Sequence, residues 1–534
     1  MNFLETILIH SPPLIVAIPL LAAFLTPLIG KLNEKVRNGF VILCLLANTS
    51  LVFYLATDVL NNGLHTYIFG AKESTLPIVR IFFEVDEIGI LMAVISSILS
   101  LLVVIYSWSF MKKSTGLSKY YTLILLLTAG MLGMELTGDM FNFFVFLEIT
   151  SISSCALIAF WTDRGLSIDA AFKYIVISTI GALFVLFAVA LLYGQYNALN
   201  MAFLAESIPV NFTFIDKIAL VVLLAALAMK AGIVPMHMWL PDAYGRAPAA
   251  VAVVVVSATL ASLYGVLRIC FTLYGGIFNS IYVSSQAIGG FIVILAILTM
   301  LIGVLMALRQ SDFKRLIAFS ALAEVGYMFL GVGTRLASAT SVTSYTDGSS
   351  MVTFPAYSKT ALAGSVFHIF NDALDIGLLL LVAGAVYYAT KETSMNKLGG
   401  LARNMRYTTV FFIIGLLAVS GIPPMNGFAS KLIIYESTYQ LNPLLSIIAV
   451  LSSIMLLAVF VKVFHSVFLG PSQNKFKDTV DVPKSMLISM AVIAGIIVFI
   501  GLFPNIVFDN LISPAVDALV DNSEYISSVL GGGV

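Results

Sequence analysis

The chain is a succession of long apolar runs separated by short polar joints. A helix that crosses a bilayer needs about 20 mostly apolar residues, and about 14 such runs can be marked out along the sequence. They lie at roughly 6–30, 39–57, 87–110, 119–133, 139–160, 168–193, 217–240, 248–274, 285–308, 314–333, 359–389, 408–437, 443–469 and 485–508. The pattern predicts an all-α integral membrane protein with about 14 transmembrane helices. The opening stretch, "MNFLETILIHSPPLIVAIPLLAAFL", lacks a basic leader region and carries a long apolar run. It reads as a first membrane helix and not as a cleaved signal peptide. The longest polar connections are 58–86 and 334–358, and the second, rich in Ser and Thr, reads as an outside loop without function.

Composition sharpens this picture. The 534 residues are 60% hydrophobic and 10% charged, against roughly 25% charged in soluble domains. A soluble enzyme is excluded, and the zero net charge gives no case for nucleic-acid binding. Cys44, Cys155 and Cys270 are scattered in apolar runs and read as small buried hydrophobes. No heme, iron–sulfur or zinc set is implied, so no cofactor or metal is expected. Basic residues orient the spans. The odd-numbered joints hold about 18 Lys and Arg, and the even-numbered ones about four (Lys72, Arg80, Arg335 and Lys359). That bias predicts both termini outside a cell membrane.

Charges inside the runs carry the chemistry. One near the bilayer centre costs about 2.5–3.5 kcal/mol, and it faces a polar interior or a water path. Glu148 lies roughly 13 Å from the outer end of its run, out of reach of either surface. Lys230 and Glu324 are equally deep. His368, Asp372 and Asp375 have i, i+4, i+7 spacing and share one helix face. Lys431 follows "SGIPPMNGFAS". Lys173 lies about one turn inside its run, while Arg268, Lys462 and His465 lie nearer run ends and read as interface anchors. Alternating buried acids, bases and a histidine have the make-up of a proton relay.

Two runs are interrupted, the seventh at "MKAGIVPMHMW" and the twelfth at "SGIPPMNGF". Proline removes a backbone donor and clashes with the preceding turn. Two breaks in corresponding places point to inverted repeats. A period of five spans inverts the second copy. The expected division is helices 1–3 over 1–118, a first repeat (helices 4–8) over 119–275, a second (helices 9–13) over 276–470, and a final helix with its tail over 471–534.

The stretches "GDMFNFFVFLEITSISS", "AAFKYIVISTIGALFVLFAVALLYG", "MKAGIVPMHMWLPDAYGRAPAAVAVVVVSATLASLYGVLRI", "SDFKRLIAFSALAEVGYMFLG" and "SGIPPMNGFASKL" together resemble the antiporter-like membrane subunits of respiratory complex I, Mrp cation/proton antiporters and membrane-bound hydrogenases. The form of the twelfth run looks most like the D-type Mrp subunit and its homologues in archaeal hydrogenase-like or sulfane-reductase-like complexes. The resemblance implies 14 helices, inverted five-helix repeats and proton transfer along a polar axis at mid-membrane. By position it makes Glu148 the glutamate of helix five, Lys230 its partner lysine, Lys431 the terminal charged residue and Lys173 the lysine of the "AAFKY" stretch. It implies other membrane subunits as partners, with or without a hydrogenase-like peripheral arm, and H⁺ as the moving ion, with Na⁺ as the other candidate.

The chain also departs from that pattern. Leu260 stands where many members carry a lysine or histidine on helix eight. Asp372 and Ile376 occupy the places of a histidine and a lysine on helix eleven. Glu324 replaces a histidine or neutral residue. A subunit that translocates ions within a redox or antiport complex is the expected function. A scaffold subunit with an incomplete proton path and a stand-alone solute transporter are the alternatives.

Overall fold

A computed structural model describes residues 3–69, 81–344, 350–471 and 473–531. Lys72, Arg80 and the 345–349 part of the 334–358 loop lie outside them. Among the described residues, twelve helices are long and apolar enough to cross a membrane: α1 (Ser11–Gly30), α2 (Glu34–Asn62), α3 (Glu87–Phe110), α4 (Leu117–Leu136), α5 (Met140–Ile158), α6 (Gly165–Tyr196), α9 (Ala249–Leu267, continued as a π-turn), α10 (Tyr282–Arg309), α11 (Phe313–Ala337), α12 (Ala356–Thr390), α15 (Pro443–Val463) and α16 (Lys484–Leu502). The seventh and twelfth expected runs are each split. α7 (Phe214–Lys230) is followed, after a break, by the short α8 (Trp239–Arg246). α13 (Arg406–Val419) and α14 (Asn426–Leu441) flank the second break.

The all-α expectation misses two small antiparallel hairpins. β1 (His65–Phe69) pairs with β2 (Ile81–Val85), and β3 (Ser341–Ser344) with β4 (Ser350–Thr353). Both sit in the long polar connections, where the chain leaves the apolar spans and needs backbone partners.

Several helices start at a side-chain cap. Asp86, Asp139 and Asp312 accept hydrogen bonds from the backbone N–H of Gly89, Asn142 and Arg315, at 3.0, 2.7 and 3.0 Å. Each satisfies a donor that the first helical turn leaves free. Asp86 also ion-pairs with Arg268, and both are buried. Arg268 is therefore not the interface anchor expected from its place near a run end. It ties the far end of α9 to the start of α3, and breaking such a buried pair costs about 3–5 kcal/mol. Lys462 does behave as an end group: exposed, it donates to the carbonyls of Leu308 and Gln310 at 2.9 and 3.2 Å.

Burial sorts the helices. The apolar stretches of α9, α11 and α12 are wholly enclosed, whereas α6, α10 and α15 keep broad apolar faces outward. A hydrocarbon surround puts no premium on burying Leu or Val. What needs enclosing is the polar set, and Glu324, His368, Asp372 and Asp375 lie on the enclosed helices.

Candidate functional site

The two breaks share a local plan. Ala231-Gly232-Ile233-Val234-Pro235-Met236 matches Ser420-Gly421-Ile422-Pro423-Pro424-Met425 position by position. Gly232 and Gly421 have φ of +79° and +66°, a left-handed turn that glycine adopts without a Cβ penalty. Ile233 N–H donates to the Ala228 carbonyl and Ile422 N–H to that of Leu417, at 3.1 and 3.0 Å. Neighbouring helices supply further partners. Val234 N–H donates to Thr299 Oγ1 at 3.1 Å, and the Ser420 carbonyl accepts from Ser453 at 3.0 Å. These opened backbone groups find their partners within the protein, as a low-dielectric surround demands.

Each break has a lysine that belongs to, or reaches, a helix C-terminus. Lys230 is the last residue of α7. Lys431 sits on α14 but reaches back, and its Nζ donates to the carbonyl of Val419, the last residue of α13, at 2.7 Å. Val419 occupies the position equivalent to Lys230. Lys431 thus brings its charge to the helix end that corresponds to the position of Lys230 in the chain, a carbonyl end where the dipole favours a cation by about 0.3–2 kcal/mol.

The surroundings of the two lysines differ. Lys230 Nζ donates to Ser151 Oγ at 2.6 Å and Ser178 Oγ at 3.1 Å. Beside it is a cavity of about 20 Å³, bordered by Thr150, Tyr174, Trp239, Thr259 and Ser262, which is room for about one water. Glu148, one turn before Ser151 on α5, does not reach Lys230. It is half-buried, and its buried Oε1 has no hydrogen-bond partner. The two residues that the resemblance makes partners thus share no direct hydrogen bond or ion pair, and Lys230 spends its donors on the two serines.

Lys431 has a direct carboxylate partner, and it is Glu324. Lys431 Nζ lies 2.8 Å from Glu324 Oε1, and the other carboxylate oxygen lies 2.7 Å from His368 Nε2. All three are enclosed. The ammonium also faces the Tyr327 ring at 4.5 Å, a favourable cation–π contact. His368 Nδ1 lies 3.1 Å from Ser430 Oγ. Asn371 donates to Ser430 and to the Asn426 carbonyl, both at 3.0 Å. Asn426 donates to Asp375 Oδ1 at 3.0 Å. One hydrogen-bonded network thus joins Lys431, Glu324, His368 and Asp375. Asp372 is buried beside it, with Oδ1 unpartnered.

The family profile described as "NADH:quinone oxidoreductase/Mrp antiporter, TM" matches residues 137–352 and 348–456, which hold both breaks, both lysines and both glutamates. The chain belongs to this family. A second profile, "NADH-Ubiquinone oxidoreductase (complex I), chain 5 N-terminus", matches residues 78–121. The chain is 29% identical over 501 residues to the D-type subunit of the Na(+)/H(+) antiporter of Alkalihalophilus pseudofirmus, covering 93% of this chain and 94% of that one. It is 30% identical over 527 residues to the N-type subunit of the NADH-quinone oxidoreductase of Desulforudis audaxviator, covering 95% and 98%. Among solved structures, a chain of the membrane-bound sulfane sulfur reductase, an archaeal respiratory membrane complex, superposes with a TM-score of 0.82 at 27% identity, covering 97% of this chain and 100% of that one. A chain of the Mrp complex from Dietzia sp. shares the fold, with a TM-score of 0.81 at 24% identity over 99% and 100%.

Within this family member, Lys173 stands apart from the buried clusters. It is exposed and paired with Asp169 and Asp242 at 2.6 and 2.9 Å. Three groups that sequence reading passed over enter the interior. Tyr244 donates to Thr259 at 2.7 Å, next to the Lys230 cavity. Asn426 links Asp375 to the network. Glu135, fully buried near the end of α4, accepts a 2.6 Å hydrogen bond from Ser96. The fourth run had been closed at residue 133, so Glu135 fell in a joint. A boundary two residues longer would have flagged it.

Proposed function

We propose that the chain is a proton-translocating, antiporter-like subunit of a multi-subunit membrane complex of the Mrp or complex I type. The observation that carries this is the enclosed Lys431–Glu324–His368 triad at a helix break. An acid, an ammonium and an imidazole within hydrogen-bond distance can exchange a proton without any bound cofactor. Their chemistry favours H⁺ over Na⁺ as the ion on this path, because an ammonium offers a cation only repulsion and no lone pair. Glu148, Lys230 and Lys431, with Asp372, Asp375 and Glu324, would form an axis running from one edge of the chain to the other. Lys173 would serve its basic end. The matching breaks support two inverted repeats, 119–275 and 276–470, between the N-terminal helices (1–118) and the last helix with its tail (471–534). The split runs count as crossings seven and twelve of fourteen, with both termini outside the plasma membrane. The partners would be further membrane subunits, as in the complexes that hold the structural relatives.

The native complex in proteoliposomes, with a Na⁺ gradient imposed and an entrapped pH dye, tests this reading. Lys230→Ala and Lys431→Ala should each abolish proton movement with subunit composition unchanged. Wild-type proton movement in both would make the chain a scaffold, the reading motivated by the apolar Leu260 and Ile376 at the centre.

A further inference from the structure

The gap at Leu260 and Ile376 has a carboxyl beside it. Glu135 Oε1 accepts from Ser96 Oγ at 2.6 Å, and Ser96 Oγ lies 3.2 Å from Ser257 Oγ. Ser257 is on α9, the helix that also carries Leu260. Its depth follows from packing. A Cβ on Gly384 of α12 would run into Ala249, and one on Gly377 would touch Val253 at 3.5 Å. The two helices are therefore antiparallel here, and Ser257, one turn past Val253, is level with the α12 turn between Asp372 and Asp375. At the other end, Tyr264 donates to the Glu135 carbonyl at 3.1 Å, and Arg268 Nε donates to Tyr264 at 2.7 Å. Arg268 pairs with Asp86, which borders a cavity of about 600 Å³ lined also by Glu87, Asp517, Asp521 and Glu524. Glu135 thus stands between this acidic end of the molecule and the centre of the axis. Its Oε2 is buried and unpartnered, and among the described residues it makes no ion pair.

We propose that Glu135 is a proton-carrying group that serves the middle of the axis through Ser96 and Ser257. This rests on the axis reading above. Ser96 has one hydroxyl proton and spends it on Glu135, so Ser257 must be the donor to Ser96. The Ser96 proton passes to Glu135 Oε1, the Ser257 proton passes to Ser96, and Ser257 takes one from hydronium in the axis, leaving water. Net, a carboxylate and a hydronium become a carboxylic acid and a water. Glu135 then does the work of the base that Leu260 and Ile376 do not supply.

The same proteoliposomes test it. Glu135→Gln should slow proton movement by about 10²-fold, the scale of losing a positioned proton carrier, with subunit composition unchanged. Glu135→Asp should retain part of it. A gradient-induced infrared difference spectrum should lose a carboxylic C=O band in Glu135→Gln, which a merely structural role would not cause. Wild-type proton movement in Glu135→Gln, while Lys431→Ala is inactive, overturns this inference and leaves the axis standing. A silent Lys431→Ala overturns the axis itself. If Glu135→Gln fails to assemble, Ser96→Ala, which removes only a hydroxyl, decides: wild-type movement in it overturns the proposal, and a clear slowing upholds it.

Discussion

Glu324 and Lys431 neutralise each other in a place where neither could stand alone. Glu324 spends one oxygen on the ammonium and the other on His368, so its acceptor capacity is used on both sides. Taking away one member of such a buried pair leaves an uncompensated charge and costs about 3–5 kcal/mol, whereas replacing both with matched neutral side chains is often close to neutral. Lys431→Met and Glu324→Gln should therefore each lower the melting temperature of the purified complex. The double variant should recover most of that loss, yet all three should fail to move protons. Thermal unfolding in detergent with the proteoliposome assay separates the two effects. Additive losses in the double variant would show that the pair does not act as a unit. Lys230 follows a different logic, since its hydrogen bonds go to two serines beside room for a water, and among the described residues no carboxylate lies within ion-pair distance of it.

At the scale of elements, the breaks place the lysines. Gly421 has a left-handed φ, and a Cβ there would approach Lys431 Cδ to 3.0 Å. Gly421→Ala should cost about 1–2 kcal/mol from the backbone conformation alone, and it should also disturb proton movement by pushing on the lysine. Gly39, inside α2 with nothing near its missing Cβ, is the control. Gly39→Ala should leave stability unchanged or raise it by up to about 1 kcal/mol. Equal melting losses in the two variants would mean that the turn is not what Gly421 provides. These breaks were legible in the sequence because glycine and proline act locally, and the deep lysines because hydropathy gives depth. Partners were not. Glu324 joins Lys431 only because α11 and α14 pack together, and Asp86 joins Arg268 across most of two hundred residues of chain. Depth can mark a charge as buried, but it cannot say which other charge is beside it. The Glu148–Lys230 pairing came from the resemblance, and here the direct partners of Lys230 are Ser151 and Ser178. The hairpins were missed for another reason: short strands in polar loops leave no apolar periodicity to read.

Across the whole molecule, the polar interior runs out at one edge. Glu148 is at mid-depth on α5, half-buried, with one carboxylate oxygen unpartnered. Beside it α6 turns Phe172, Ile180, Leu183, Phe184 and Phe187 outward. Apolar side chains rest comfortably against lipid, but a carboxylate at that depth costs about 2.5–3.5 kcal/mol unless water or another protein covers it. In a complex built from several membrane subunits, the economical cover is a neighbouring subunit that brings a polar or basic group to the same depth. A cysteine at this position in the native complex should then form a cross-link to a neighbour's membrane helix with a short thiol-reactive bridge. A cysteine at Ile294 on α10, exposed on another outward apolar face, serves as the comparison. Glu148→Gln should impair proton movement while leaving subunit composition unchanged, because the contact belongs to the helix face and the proton to the carboxyl. If the cysteine at 148 reacted only with lipid-soluble reagents and never with a neighbouring subunit, the axis would end within this chain. Glu148 would then have to exchange its proton with water reaching it along α5.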